Sequence, residues 1–365
     1  MSDLLVIGGG VIGLLTAREL ALAGAKVTVL ERNARPARES SWAGGGIISP
    51  LYPWRYPDSI TQLARAGHQS YPELSRQLYA DTGIDPQYTR SGLFIRAEEE
   101  QDEALDWAAR WDYRISLESS AAIEQLEPAR FNPPEQLLWM PDIGQVRNPR
   151  LVKALIKDLD NRGISLHTHA PVVGFRENGG RIHEVLTPTG KFQAEGIVLC
   201  TGAWTGTLAK PLSPPPDVHP VRGQMLLFKG KPDQIRHMML EENRYIIPRQ
   251  DGRILFGSTL EEAGFDKSTT AAARRELTQL ARERFPLLKN LPIEKHWAGL
   301  RPAAPAGIPY ITRHPQVENL YINAGHYRNG VVLAPASARL VTDLLLGRTP
   351  TVDPAPYAMD APRGY

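Results

Sequence analysis

The chain has 365 residues, with 42 Lys and Arg against 40 Asp and Glu and a formal net charge of +2. Its length predicts about two domains, and the balanced charge, with no dense basic run, offers no footprint for nucleic acid. A single cysteine excludes an intramolecular disulfide and suits a reducing compartment. With no basic leader and no apolar run of about 18 residues, a cytoplasmic protein without a membrane span is expected.

The first thirty-one residues organise the rest. Asp3-Leu4-Leu5-Val6-Ile7 reads as a buried strand and meets Gly8-Gly9-Gly10-Val11-Ile12-Gly13, which contains G-x-G-x-x-G at Gly8, Gly10 and Gly13. A helical pattern over 11–23 follows, then Gly24 as a stop, a second strand Lys26–Leu30, and Glu31. One glycine permits the sharp strand-to-helix turn, a second admits a pyrophosphate, and a third lets helix and strand pack closely. The helix N-terminus adds free N–H groups and a positive dipole end. An acid at the end of the second strand accepts hydrogen bonds from a ribose. The unit reads as a dinucleotide site.

Ser40-Ser41-Trp42-Ala43-Gly44-Gly45-Gly46-Ile47-Ile48 then predicts an ordered, glycine-rich approach to a ligand. Residues 50–57, with Tyr52, Trp54 and Tyr56, suit a loop packed over something. Helices are expected around 59–82 and 98–113, with a strand at 89–96 between them. An amphipathic helix over 148–162 places Leu151, Leu155, Ile156 and Leu159 on one side, with Asn148-Pro149 as its cap and first-turn proline. Residues 164–175 read as strands with His167 and His169 on one face, structural rather than metal-binding, since no further ligand types lie nearby. Hairpins at Asn178-Gly179-Gly180 and Thr189-Gly190 lead to Ile197-Val198-Leu199-Cys200-Thr201-Gly202-Ala203-Trp204, a strand ending in a glycine turn, in which Cys200 is a small core residue.

After the rigid Ser213-Pro214-Pro215-Pro216 connector the pattern becomes antiparallel. Strands are expected at 223–228, 244–249, 253–258 and 294–301, with a helix at 271–285. Leu320–Gly325 returns to the parallel type and leads through His326–Gly330 to a helix over 331–346. The reading is therefore α/β: a discontinuous Rossmann-type domain from residues 1–85, 145–210 and 300–365, and an α+β domain with a mainly antiparallel sheet from 86–144 and 211–299.

Six stretches in this order resemble the D-amino-acid-oxidase-like FAD-dependent flavoproteins. They are the Gly8–Gly13 turn with Glu31, the Ser40–Gly46 loop, Thr201–Trp204, Pro220-Val221-Arg222-Gly223-Gln224, Gly299-Leu300-Arg301-Pro302, and Gly325–Gly330. The last two point towards the family's glycine oxidase branch. The resemblance implies a glutathione-reductase-like FAD-binding domain and non-covalent FAD. It places Gly8, Gly10, Val11, Ile12, Gly13, Glu31, Arg32, Ser40, Ser41, Gly45, Gly46, Ile47, Val173, Gly202 and Trp204 along the cofactor. His326, Tyr327, Arg328, Asn329, Gly330 and Val331 would close over the flavin, with backbone N–H groups at its pyrimidine end. The position of Cys200 in a central strand argues against covalent flavin attachment.

On the same resemblance, Arg301 holds the substrate carboxylate, because a planar guanidinium matches it with two parallel hydrogen bonds. Tyr245 adds a further bond, and Arg328 either contacts the substrate or supplies positive charge beside reduced flavin. The implied activity is oxidation of glycine, sarcosine and small D-amino acids by hydride transfer to the flavin. Imine or 2-oxo acid, ammonia and, with O₂, hydrogen peroxide are formed, and the imine serves thiamine thiazole synthesis. A homotetramer is implied, with no nucleic acid, membrane or metal partner. Competing readings are a D-amino-acid or sarcosine dehydrogenase with another acceptor, the oxidase half of an RNA-modifying enzyme, and a non-catalytic FAD-binding protein. The Trp54/Tyr56 loop and Met238-Met239 are candidates for narrowing the pocket.

Overall fold

The computed structural model of the chain describes residues 3–127 and 135–363. Six strands form one sheet in the order Tyr310–Arg313, Leu320–Ala324, Gly196–Leu199, Asp3–Ile7, Lys26–Leu30, Ser165–His167. All neighbours run parallel except the edge strand Tyr310–Arg313. Side chains alternate between faces, as strand geometry requires. Leu4, Val6, Val27, Val29 and Val198 pack on helices Val11–Leu22, Asp58–Thr82, Asn148–Asn161 and Gly330–Leu345. Leu5, Ile7, Leu30, Ile197 and Leu199 face a core shared with Ile182 and Val185 of a three-stranded sheet, Gly174–Asn178, Arg181–Thr187 and Gly190–Phe192. Both faces are covered, which is why these strands read as continuous apolar runs.

The larger sheet has eight strands: Ile293–Ala303, His219–Lys229, Arg253–Gly257, Arg244–Pro248, Met238–Glu241, Leu93–Ile95, Gln136–Met140, Ser116–Ser119. Pairing is antiparallel except between Met238–Glu241 and Leu93–Ile95. Ile293–Ala303 continues as one strand across residue 300. One face carries Leu93, Ile95, Leu138, Met140, Leu240 and Ile247. The other buries Phe94, Leu137, Leu226, Phe228, Ile246 and Phe256 against Leu277 and Ala281 of helix Ala271–Arg284. The chain thus combines a parallel α/β unit with a mainly antiparallel sheet.

Three local expectations are corrected. Asn148 does not cap its helix: Arg147 is the N-cap residue, and the Asn148 amide instead donates to Ser41 O at 3.0 Å. His167 ends a three-residue strand, whereas His169 lies beyond it at φ +55°, so the two do not share a strand face. Met238 and Met239 do not narrow a pocket. Adjacent on one strand, they point to opposite faces and enter the two different cores.

Candidate active site

A cavity of about 610 Å³ is lined by both units. At its nucleotide side the first strand turns at Gly8 into the helix that begins at Val11. A Cβ on Gly13 would lie 1.9 Å from Gly8 O, so only glycine allows this packing. Gly8, Gly10, Val11 and Ile12 line the cavity, where a helix start has N–H groups that no residue within the helix can satisfy. Ser41 Oγ accepts the Val11 N–H at 2.8 Å. Glu31 is buried, and its carboxylate accepts the N–H groups of Gly9 at 2.9 Å and Asn33 at 2.8 Å. These two bonds fix the acid at the end of the second strand, where it lines the cavity. Next to it, the Arg32 guanidinium sits 3.5 Å from the centroid of Trp204 and bonds Glu39 at 2.9 Å. Burial opposes ionisation of Glu39, but Arg32 and Lys267 outweigh it and hold its carboxyl below the usual range.

The Ser40–Ile47 segment leads from this region to the larger sheet. It opens as a short helix, Ser40–Ala43, before the glycines expected to form an ordered approach to a ligand. Ser40 Oγ donates to Leu300 O, and Trp297 Nε1 donates to Ala43 O at 3.0 Å. The buried Arg249 donates to Gly45 O at 2.6 Å, Gln145 Oε1 at 2.6 Å and Val146 O at 3.0 Å. Gly45 faces the Tyr245 ring, which a Cβ would approach to 3.2 Å.

Tyr245 and Arg301 meet at Ser258. The Tyr245 hydroxyl donates to Ser258 Oγ at 3.1 Å, and Arg301 Nη2 donates to the same oxygen at 2.6 Å. Arg301 Nη1 donates to Arg222 O and Thr259 O, each at 3.2 Å. Gly223 opposite has no side chain because a Cβ there would stand 2.2 Å from the guanidinium. No carboxylate among the described residues pairs with Arg301, although all three residues line the cavity. Burial lowers the Arg301 pKa from its ordinary value, Tyr245 opposes that shift, and Arg328 adds to it. A cation that faces a cavity with no described carboxylate beside it suits an anion, since leaving a desolvated charge unpaired is costly.

The 326–331 stretch closes another wall. His326 is buried and its Nε2 lies 2.9 Å from Ser337 Oγ. Ser337 already donates its proton to Leu333 O, so Nε2 carries the hydrogen and Nδ1 is the acceptor. Burial pushes the imidazole pKa down to about 3, so it is neutral at physiological pH. Tyr327 and Arg328 line the cavity beside it, and helix Gly330–Leu345 starts there.

Residues 3–344 match the family model described as FAD dependent oxidoreductase (DAO). The chain belongs to this family. It is 46% identical to a glycine oxidase of Pseudomonas aeruginosa over 357 residues, covering 97% of both chains. It is 35% identical to the bifunctional protein ThiO/ThiG of Trichormus variabilis, covering 94% of this chain and 52% of that protein. The crystal structure of glycine oxidase from Geobacillus kaustophilus aligns over 100% of both chains with a TM-score of 0.92 at 26% identity.

The cavity fits the family's FAD: it has a helix start for pyrophosphate, a fixed acid for ribose and, in Arg301, a cation with no carboxylate partner among the described residues. It gathers Gly8, Gly10, Val11, Ile12, Glu31, Arg32, Ser40, Ser41, Gly45, Gly46, Ile47, Gly202, Trp204, His326, Tyr327, Arg328, Gly330 and Val331. Val173 also lines it while 64% exposed, which puts it at the mouth. Gly13 and Asn329 lie outside the lining; the buried Asn329 amide has no hydrogen-bond partner. Sequence reading missed Ser258, Met225 and Asn323, all in the wall. Ser258 had one signal, a hydroxyl immediately after a strand that ends at Gly257. The Cys200 thiol is buried, 3.9 Å from Thr16 Oγ1, and burial pushes its pKa up to about 12.

Proposed function

We propose that this chain oxidises glycine and other small amines and amino acids, including sarcosine and small D-amino acids, with FAD and O₂. Glycine, O₂ and water give the 2-oxo acid, ammonia and hydrogen peroxide through the imine, which also serves thiamine thiazole synthesis. The observation that carries this reading is Arg301, a half-buried guanidinium held by three neutral acceptors and open to the cavity. In it Arg301 takes the substrate carboxylate in a bidentate grip, and the Tyr245 hydroxyl turns its proton from Ser258 Oγ to that carboxylate to add a further bond. The Arg328 charge attracts the anionic end of the substrate and favours negative charge developing in the cavity.

When bound, FAD supplies the two-electron acceptor and the reaction with O₂ that yields peroxide. The protein's share is orientation: Gly8, Gly10, Val11, Ile12, Ser41 and Glu31 hold the dinucleotide, and residues 326–331 hold the ring system. No general base is assigned, since an amine entering unprotonated needs none and His326 has its Nε2 proton committed to Ser337. Residues 1–85, 145–210 and 300–365 are assigned to the cofactor unit and 86–144 with 211–299 to the substrate unit, although strand Ile293–Ala303 stays paired with His219–Lys229 of the larger sheet as far as Ala303, beyond that boundary. The protein acts in the cytoplasm as a homotetramer; no helix among the described residues is long and apolar enough to cross a membrane.

The test mixes holoprotein with glycine without oxygen, follows bleaching of the flavin band, then admits air. Bleaching that air reverses with peroxide formation is the expected result, and sarcosine and D-alanine rank the substrates. Bleaching that air leaves in place would make the chain a dehydrogenase. A yellow protein that none of these amines bleaches would end the substrate assignment.

A further inference from the structure

The segment between strand Arg253–Gly257 and helix Ala271–Arg284 belongs in sequence to the larger sheet, yet its middle touches the nucleotide side of the cofactor unit. The Phe265 ring stacks on Trp204 with centroids 5.5 Å apart and 26° between planes. Lys267 Nζ donates to both Glu39 oxygens at 3.0 Å. Glu39 in turn accepts from Arg32, and Arg32 lies over the other ring contact of Trp204. Lys267, Glu39, Arg32, Trp204 and Phe265 therefore form a chain of four contacts whose two ends lie two residues apart on the same segment. Arg32, Glu39 and Trp204 line the cavity, and Phe265 and Lys267 stand behind them.

The root of the segment is fixed independently. Arg222, buried in strand His219–Lys229, donates to Glu261 and Asp266 at 2.6 Å each and to Ser268 O at 3.3 Å. Thr270 caps the following helix through Ala273 N–H. A segment pinned at both ends thus presents one ring and one ammonium to the cofactor unit. Phe265 is 43% exposed and Lys267 45%, so neither is there to fill a core. What their contacts do is fix side chains beside Glu31, the residue position that receives ribose in this kind of unit.

We propose that Phe265 and Lys267 are positioning residues for the adenosine half of FAD, forming a strap that acts through Trp204, Arg32 and Glu39 and slows release of the cofactor. This rests on FAD occupying the cavity. The strap closes the mouth side of the site with one stacking and one ionic contact, so its ionic part weakens with salt.

The experiment strips FAD from the holoprotein and measures reconstitution by quenching of flavin fluorescence, with AMP as a competitor for the adenosine half. Phe265→Ala should raise the FAD Kd by roughly two- to tenfold and Lys267→Ala by roughly two- to fivefold, the scales of one partly exposed stacking contact and one partly exposed ionic contact. AMP affinity should fall by a similar factor, and the apoprotein melting temperature should stay at the wild-type value. Lys267→Arg should restore most of the affinity, and high salt should weaken the wild type more than Lys267→Ala. Unchanged FAD affinity in both variants, a loss for FAD with none for AMP, or a parallel fall in apoprotein stability would each overturn the proposal. A wild-type protein that took up no FAD would instead remove the cofactor reading itself.

Discussion

Replacing Arg301 by Met separates substrate binding from fold stability. The substitution removes the donors of Arg222 O, Thr259 O and Ser258 Oγ, which costs about 1–3 kcal/mol if water does not replace them. It also removes a desolvated charge that no described acid balances, a change of opposite sign. The two effects offset each other, so the melting temperature of the apoprotein should move by only a few degrees. Binding has no such offset. Losing one side of a buried, hydrogen-bonded charge pair costs about 2–5 kcal/mol, or roughly 30- to 4,000-fold in kcat/KM. Anaerobic flavin reduction over a glycine series gives the apparent Kd for substrate, and acetate as a competing carboxylate gives that of the anion alone. Both should weaken together while bound FAD is retained. Normal saturation by glycine would refute the assignment of Arg301, and collapse of apoprotein stability would make it a structural residue.

Tyr245→Phe removes one hydroxyl bond and should cost about 1–3 kcal/mol in kcat/KM, read in the same reduction experiment; a neutral result would leave the Tyr245 hydroxyl with a structural role against Ser258 and Met225. Because the Cys200 thiol is buried with a pKa near 12, acid precipitation should release all the flavin into the supernatant, and colour retained on the pellet would show covalent attachment. His326, with its pKa pushed down to about 3, excludes a proton that an unfolded histidine, at about 6.5, binds. Its contribution to stability is whole above pH 6.5 and is lost as pH falls towards 3, at about 1.4 kcal/mol per pH unit. His326→Asn should therefore flatten the melting temperature profile in that window, and an unchanged slope would place the acid sensitivity elsewhere.

What was legible in the sequence was local. Gly8, Gly10 and Gly13 with Glu31 act within one strand-helix-strand unit, so their spacing carries their geometry. What was not legible depends on pairing across long separations. Ser258 reaches Tyr245 and Arg301 because strand Arg253–Gly257 lies between Arg244–Pro248 and His219–Lys229, with Gly257 opposite both Met225 and Tyr245. Nothing near residue 258 encodes that register. The strands Ser116–Ser119, Met238–Glu241 and Tyr310–Arg313 span four residues each, too few to establish a period of two, and they went unrecognised. The strap shows the same limit, since Lys267 and Glu39 are 228 positions apart.

Residue type alone cannot separate the roles of the buried Arg249 and the half-buried Arg301. Both Arg249 and Arg301 lie near the end of a strand of the larger sheet, and neither pairs with a described carboxylate. Burial lowers the pKa of each, that of Arg249 to about 9, which still leaves it a cation at neutral pH. Arg249 spends its donors on Gly45 O, Val146 O and Gln145 Oε1 and lies outside the cavity lining. It is a clamp that fixes the glycine-rich segment to the sheet carrying Tyr245. Arg301 has its Nη atoms held in place by Arg222 O, Thr259 O and Ser258 Oγ, no bond from Nε to a described residue, and an open face on the cavity. Each guanidinium spends three of its five N–H donors on neutral acceptors, but only Arg301 lines the cavity, where its remaining donors can meet a ligand. What separates the two is therefore place rather than saturation: Arg301 faces the cavity and Arg249 faces the backbone it clamps.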